Sequence, residues 1–479
     1  MFATPRAWPT LVLLIASAWL LLIGLDNAGM LGPDEPRYAS IGREMARSGD
    51  WLTPRLWGQA WFEKPPLLYW MIAAATRAGL RDETAARLPV ALLSAAFLVF
   101  YHRSLSKLFD ARTAWYATAI LGTSAGWLAY SHLALTDLPM AAAFAAAMLL
   151  AMPWALGQDD RALPASGVLL GLAVLAKGMV PLVLAVPALW MGRRRWRRLL
   201  VPVALLAFTA GPWFLYSVGV HGRPFLEEFF WKHHLLRFSG ARMHPQPFWF
   251  YVPVLAAGLF PWTPLLALRF DRRNWLDPRV GYLWLWFLFG FSFFSLATNK
   301  LPGYLLPLLP ALAAILSVNL VRSGKRGCWL LAVTTLSLGL LPWVARVLPQ
   351  AVQSGLSRAQ LLPVPWTGLA VSLPVALLVF WWHRRGRRAW AFAIPAALVV
   401  AGVLYFKTTA LGKLDQAASA RPLWRSLAGR TAQACQQGLQ RNWLYGLNYY
   451  SVEPLPDCAA TPRPLRIVQE PGAPPHLSE

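Results

Sequence analysis

Three stretches near the start of the chain carry most of its chemistry: Asp34-Glu35-Pro36-Arg37-Tyr38, Ser48-Gly49-Asp50-Trp51 and Trp61-Phe62-Glu63-Lys64-Pro65-Pro66-Leu67-Leu68-Tyr69-Trp70. They set acids and bases side by side between one very apolar span and a long series of others. Charge held beside hydrocarbon is expensive, so a dense mixed-sign cluster there marks a functional site by default. An acid at Asp34 could take a proton, while Lys64, with Arg37 and Tyr38 in the same cluster, could hold a phosphate at headgroup level. The bland alternative is an acid that only caps a helix and a lysine that only snorkels.

Related chemistry recurs at later turns. Thr136-Asp137 puts a carboxylate at the mouth of an apolar span, and Lys177-Gly178 puts a cation at the next turn on that side. Lys232-His233-His234-Leu235-Leu236-Arg237 and His244-Pro245-Gln246-Pro247-Phe248-Trp249 bring bases, imidazoles and aromatics into the largest later loop, and Asn299-Lys300-Leu301-Pro302-Gly303-Tyr304 adds a lysine and a tyrosine. Asp137 is thus a second candidate catalytic acid and Lys177 a further phosphate contact, with Glu63, Arg237, Lys300 and Tyr304 as candidate substrate contacts. Seen alone, Lys300 or Tyr304 is an ordinary interfacial anchor. Gathered on one face they argue for a reaction there, because a transporter would place its polar residues toward the bilayer midplane.

Such residues need a scaffold, and composition supplies it. With 57% hydrophobic and 14% charged residues, and 26 Trp in 479 positions, the chain reads as an all-α polytopic membrane protein. Apolar runs at about 8–25, 86–102, 113–131, 138–157, 163–177, 180–192, 199–218, 248–268, 280–298, 304–321, 328–346, 364–382 and 389–406 predict thirteen spans, the first serving as an uncleaved signal and anchor. The fifth and sixth, joined at Lys177-Gly178, are either one bent re-entrant pair or two tilted helices. Of the 45 basic residues, 21 fall in the alternate short turns that hold only five of the 21 acids. That side is cytoplasmic by the positive-inside rule, so the first loop (26–85), the candidate site and the C-terminal tail face the periplasm. The net charge of +24 is then mostly a matter of topology, and no nucleic-acid partner is needed to explain it.

Within the first loop, Asp34 followed by Pro36 reads as a helix start with Asp34 as N-cap. Tyr38, Ile41 and Met45 share one face and Arg43, Glu44 and Arg47 the other, and Ser48-Gly49 ends the helix. Glu63-Lys64 stand immediately before Pro65-Pro66, a step expected to fix the backbone in extended geometry. Residues 1–406 form the expected membrane domain, and 407–479 a small α+β unit in which Trp443 to Tyr450 reads as a strand and the last ten residues as disordered. Cys435 and Cys458 in that tail are either a disulfide or two free thiols.

These motifs in this order resemble bacterial membrane glycosyltransferases of family 39/83. The likeness lies in Asp34-Glu35-x-Arg37-Tyr38, Ser48-Gly49-Asp50-Trp51, Phe62-Glu63-Lys64-Pro65-Pro66-Leu67-x-Tyr69-Trp70, Thr136-Asp137, Ala176-Lys177-Gly178, His244-x-x-Pro247-Phe248-Trp249 and Lys300-Leu301-Pro302-x-Tyr304, and it points in particular to the lipid A aminoarabinose transferases. It runs from about residue 34 to residue 315. The resemblance implies a GT-C architecture, thirteen transmembrane helices, a periplasmic C-terminal domain and residence in the bacterial inner membrane. The implied donor is a polyprenyl-phosphate sugar and the implied acceptor a lipid A phosphate. Asp34 and Asp137 would match the family's acids, Lys64 and Arg37 its lipid-phosphate contacts, and Glu63 with His244 a divalent-metal pair. Pro245 stands where family members often carry arginine.

A polyprenyl phosphate leaves with growing negative charge, which cations at Lys64, Arg37 and Lys177 would bind more tightly than they bind the diester. A phosphate acceptor is already anionic and needs no strong base, whereas a protein or glycan hydroxyl would have to give its proton to Asp34 or Asp137. No nucleotide cofactor is expected, since an outward-facing enzyme has no nucleotide supply. Transfer to a protein or glycan hydroxyl and transport of a lipid or sugar remain the alternatives.

Overall fold

The structure is a computed structural model, which describes residues 19–235, 245–268, 276–354, 363–364, 366–427, 429–470 and 473–478. It is mostly helical. Among the described residues eight helices are long and apolar enough to cross a membrane, from Asp82–Leu108 to Arg388–Thr409, and the apolar helices Leu163–Lys177 and Phe248–Leu259 are shorter. The first expected span lies largely outside the described residues. Gly178, at φ +85°, separates Leu163–Lys177 from Val180–Leu184, a break at the junction of the fifth and sixth expected spans. The Arg193–Leu199 turn, rich in arginine, divides the next long apolar run.

Asp137–Ala155 is buried almost throughout, because its run of alanines lets neighbours pack close on every side. Leu309–Arg322 is buried on nearly all its length as well. Prolines at 302, 307 and 310 tighten the preceding turn, Pro302–Leu308, into a 3-10 helix. By contrast the helix Leu200–Phe225 exposes Leu200, Val203, Phe208 and Leu215, a composition suited to a hydrocarbon surround.

The first loop is built from two helices. Asp34–Ser48 buries Tyr38, Ile41 and Met45 while Arg47 is exposed, the amphipathic division expected from the sequence. It ends at Gly49, whose φ of +75° lets the backbone N–H turn back to Met45 O. The helix packs on Leu67–Arg77 at Gly42, where a Cβ would stand 2.6 Å from Ile72. Two expectations are corrected here. Asp34 is the first helical residue rather than the N-cap, which is Pro33 and makes no side-chain bond, because its carboxylate is drawn to Arg37 instead. Pro66 is not extended but helical, at φ −86° and ψ −5°, and forms the N-cap of the second helix.

The tail has its own small core of Ala420, Leu427, Trp443, Leu447, Leu455 and Ile467, beside a sheet in which Ala434–Gln437 pairs parallel with Leu465–Val468 and that strand pairs antiparallel with His476–Ser478. Cys435 and Cys458 form a disulfide. Trp443 to Tyr450 is not a strand but part of the helix Arg441–Ser451: Trp443, Gly446, Leu447 and Tyr450 recur at helical spacing, a period that aromatic content had masked. Nor are the last ten residues simply disordered, since the strand His476–Ser478 lies among them.

Tail and first loop are fastened together. Gly29 N–H donates to Asp415 Oδ1 at 2.7 Å and Met30 N–H to the Tyr450 hydroxyl at 3.0 Å. Arg421 donates to the carbonyls of Asp26 and Asn27, and Leu31 bridges Ser419.

Candidate active site

The first-loop helices bring Asp34, Arg37, Glu63 and Lys64 into one chain of ion pairs. Arg37 reaches Asp34 Oδ1 at 2.5 Å and Glu63 Oε2 at 3.0 Å, and Lys64 lies 3.5 Å from Glu63 Oε1. Asp34 and Arg37 meet because they are one helical turn apart; Glu63 and Lys64 arrive from the segment that enters the second helix. The Arg37 guanidinium also lies over the rings of Tyr38, Trp61 and Tyr445 at 5.0–5.9 Å, so the tail helix contributes a wall. Burial works to lower the Arg37 pKa, but Tyr38, Glu63 and Asp34 outweigh it and raise it. The Tyr38 and Tyr69 hydroxyls are pushed up by burial first and then by neighbouring carboxylates, and at neutral pH both are hydrogen-bond donors. Among the described residues Arg37 Nε and the Tyr69 hydroxyl find no hydrogen-bond partner, which leaves donors for a ligand.

A second group faces this one. Lys177 donates to Asp137 Oδ1 at 2.5 Å and lies 5.0 Å from the centre of the Tyr304 ring. The lone acid and lone base expected at two separate turns are therefore a pair. Tyr130, which the sequence did not single out, brings its hydroxyl to the same point as Asp137, beside Gly303. Gly303 is the floor beneath it. A Cβ there would come within 2.3 Å of Asp137 Oδ1 and 2.7 Å of the Tyr130 hydroxyl.

Lys300 is placed differently. It is buried and donates to the carbonyls of Gln246, at 3.0 Å, and of Ala297, tying the chain at 245–246 to the 297–300 turn; burial lowers its pKa. Arg237 and His244 lie outside the described residues. For the metal pair the test falls on Glu63, whose two oxygens already face Arg37 and Lys64. Its expected partner His244 lies outside the described residues, among which no group of three His, Cys, Asp or Glu ligands occurs.

The sequence reading also missed the support behind Asp34. Glu35, fully buried, takes Arg87 through both oxygens at 2.7 and 2.8 Å and accepts the N–H groups of Leu31 and Ala134. Arg87 in turn holds the carbonyls of Leu25, Ala28 and Gly29. Its signal was a solitary arginine opening an apolar span.

This bundle of membrane helices, with paired charges gathered on an amphipathic first loop, is the GT-C glycosyltransferase architecture. Residues 63–215 match the model of the dolichyl-phosphate-mannose-protein mannosyltransferase family. The fold matches the crystal structure of ArnT from Cupriavidus metallidurans bound to undecaprenyl phosphate, with a TM-score of 0.74 over 98% of this chain and 94% of that one at 24% identity. The chain is 30% identical over 433 residues to undecaprenyl phosphate-alpha-4-amino-4-deoxy-L-arabinose arabinosyl transferase 2 of Pseudomonas fluorescens Pf-5, covering 84% of this chain and 73% of the relative. It is 37% identical over 334 residues to the corresponding transferase of Pseudomonas paraeruginosa PA7, covering 65% of this chain and 59% of that relative's length. The chain belongs to this family of arabinosyl transferases, and it is a multi-pass membrane glycosyltransferase.

Proposed function

We propose that the protein transfers 4-amino-4-deoxy-L-arabinose, or a closely similar sugar, from undecaprenyl phosphate to a lipid A phosphate at the periplasmic face of the bacterial inner membrane. In this reading thirteen helices span the bilayer, residues 1–406 form the catalytic domain, and residues 407–479 form a periplasmic domain. The separate core of the tail and its attachment to the first loop support that division.

The observation that carries the proposal is the balance of charge in the site: Arg37, Lys64 and Lys177 are matched by Asp34, Glu63 and Asp137. A phosphate arriving at Lys64 and Arg37 replaces carboxylate oxygens as their partner. Asp34, whose side chain is 45% exposed, is thereby released toward the sugar, where a carboxylate stabilises oxocarbenium character or takes a hydroxyl proton. As the anomeric carbon–oxygen bond breaks, the negative charge gathering on the departing phosphate strengthens its pairing with Lys64 and Arg37. Lys177 orients Asp137. A phosphate acceptor attacks without needing to lose a proton, so no strong base is required.

The test is mass analysis of the transfer product. Purified protein given undecaprenyl phosphate-linked aminoarabinose and lipid A should yield lipid A heavier by one aminoarabinose residue, and Asp137→Asn should abolish that product while leaving the protein folded. Sugar appearing on a protein or glycan hydroxyl, with lipid A unmodified, would replace the acceptor in this reading.

A further inference from the structure

A separate cavity of about 430 Å³ lies within the size range of small-molecule sites, roughly 300–1,000 Å³, and neither Asp34 nor Asp137 lines it. Its walls are apolar, among them Leu128, Leu341, Leu348, Val399, Val403 and Phe406, and its cations, Arg87 and Lys407, share it with His132. No acid among the described residues lines it. Arg87 is neutralised by Glu35. Lys407 is not: its nearly buried ammonium donates to the carbonyls of Leu20 and Ile23 and to His132 Nε2, and no carboxylate among the described residues pairs with it. Those carbonyls carry only a partial negative charge. His132 has Nδ1 2.7 Å from Leu128 O and Nε2 3.2 Å from Leu20 O, and it brings no negative charge to Lys407.

A buried cation of this kind is costly, and Lys407 stands in the last turn of Arg388–Thr409, at the end of an apolar helix where lipid phosphates lie. We propose that this cavity binds an anionic lipid, with its phosphate at the Lys407–His132–Arg87 end and its hydrocarbon chain along Leu341–Ser354 and Arg388–Thr409. The phosphate supplies the missing counter-charge, and the chain fills an apolar space that water would not. This site lies apart from the Asp34 and Asp137 cluster and does not depend on the transferase reading.

The test is lipid retention by native mass spectrometry of the full chain, carried out in a Lys64→Ala background so that lipid phosphate held at the other cluster is not counted. Nanodiscs of phosphatidylcholine carry trace phosphatidylglycerol, undecaprenyl phosphate or lipid A. The parent should retain one phosphate-headed anionic lipid at least tenfold over phosphatidylcholine, and Lys407→Met and Val403→Trp should each lower that retention at least tenfold. Because Lys407 also ties down Leu20 and Ile23, Val403→Trp, which fills the cavity and leaves that tie alone, decides the matter if Lys407→Met does not fold. Equal retention of phosphatidylglycerol and lipid A supports a site for the general membrane headgroup; retention of lipid A alone, or of undecaprenyl phosphate alone, supports one dedicated to that lipid. The proposal is overturned by equal retention of phosphatidylcholine, by unchanged retention in Val403→Trp, or by no retained lipid.

Discussion

Arg37 answers to two acids and three aromatic rings at once, and that crowding makes the site sensitive to single atoms. Lys64→Ala removes a cation assigned to the departing phosphate; a charge-assisted contact is worth about 1.5–3 kcal/mol, so kcat/KM for sugar transfer should fall roughly ten- to a hundredfold. Asp34→Asn keeps the side-chain size and disturbs no cap, so the variant should purify like the parent yet lose most transfer in the same assay. Near-parental turnover in either would mean that the cluster only holds the loop. The pair behind it should behave in the opposite way. Glu35→Gln leaves Arg87 with a buried, unpaired charge, a loss of about 3–5 kcal/mol, and should appear in thermal unfolding as a destabilised protein before any kinetic effect is measured. The catalytic candidates were legible in the sequence because charge in an apolar surround stands out. The support was not: Glu35 and Arg87 are 52 positions apart, and nothing local to either says that they meet.

Elements differ in how plainly they announce themselves. Long apolar runs and the first-loop helix could be placed from hydropathy and period alone, whereas Arg441–Ser451 was masked by aromatic content and Asp34 was drawn away from its cap by a charge one turn on. Close approach is the least visible property of all. Gly303 occupies a variable position of its motif, yet the 3-10 turn Pro302–Leu308 presses it against Asp137 and Tyr130. Gly303→Ala should therefore shift the Asp137–Lys177 pair and cut kcat at least tenfold with little change in thermal stability. Full activity in this variant would show that the turn has room to yield.

At the scale of the whole molecule, orientation is testable without any chemistry. A reporter active only outside the cytoplasm should be active when fused after Phe406 and silent after Arg198; the reverse pattern would put the site on the wrong side of the membrane. The disulfide sets the durability of the tail. Replacing Cys435 and Cys458 with serine should cost about 2–4 kcal/mol, seen as faster proteolysis of the tail. The fastening of residues 26–31 to Asp415, Ser419, Arg421 and Tyr450 has a consequence in time. The first loop is among the earliest parts of the chain to be synthesised, but its latch is encoded within the last 65 positions of the sequence. Contacts of such long range form late. A nascent chain thus carries Asp34 and Lys64 unlatched through most of its translation, and the first loop is clamped only after the tail has emerged.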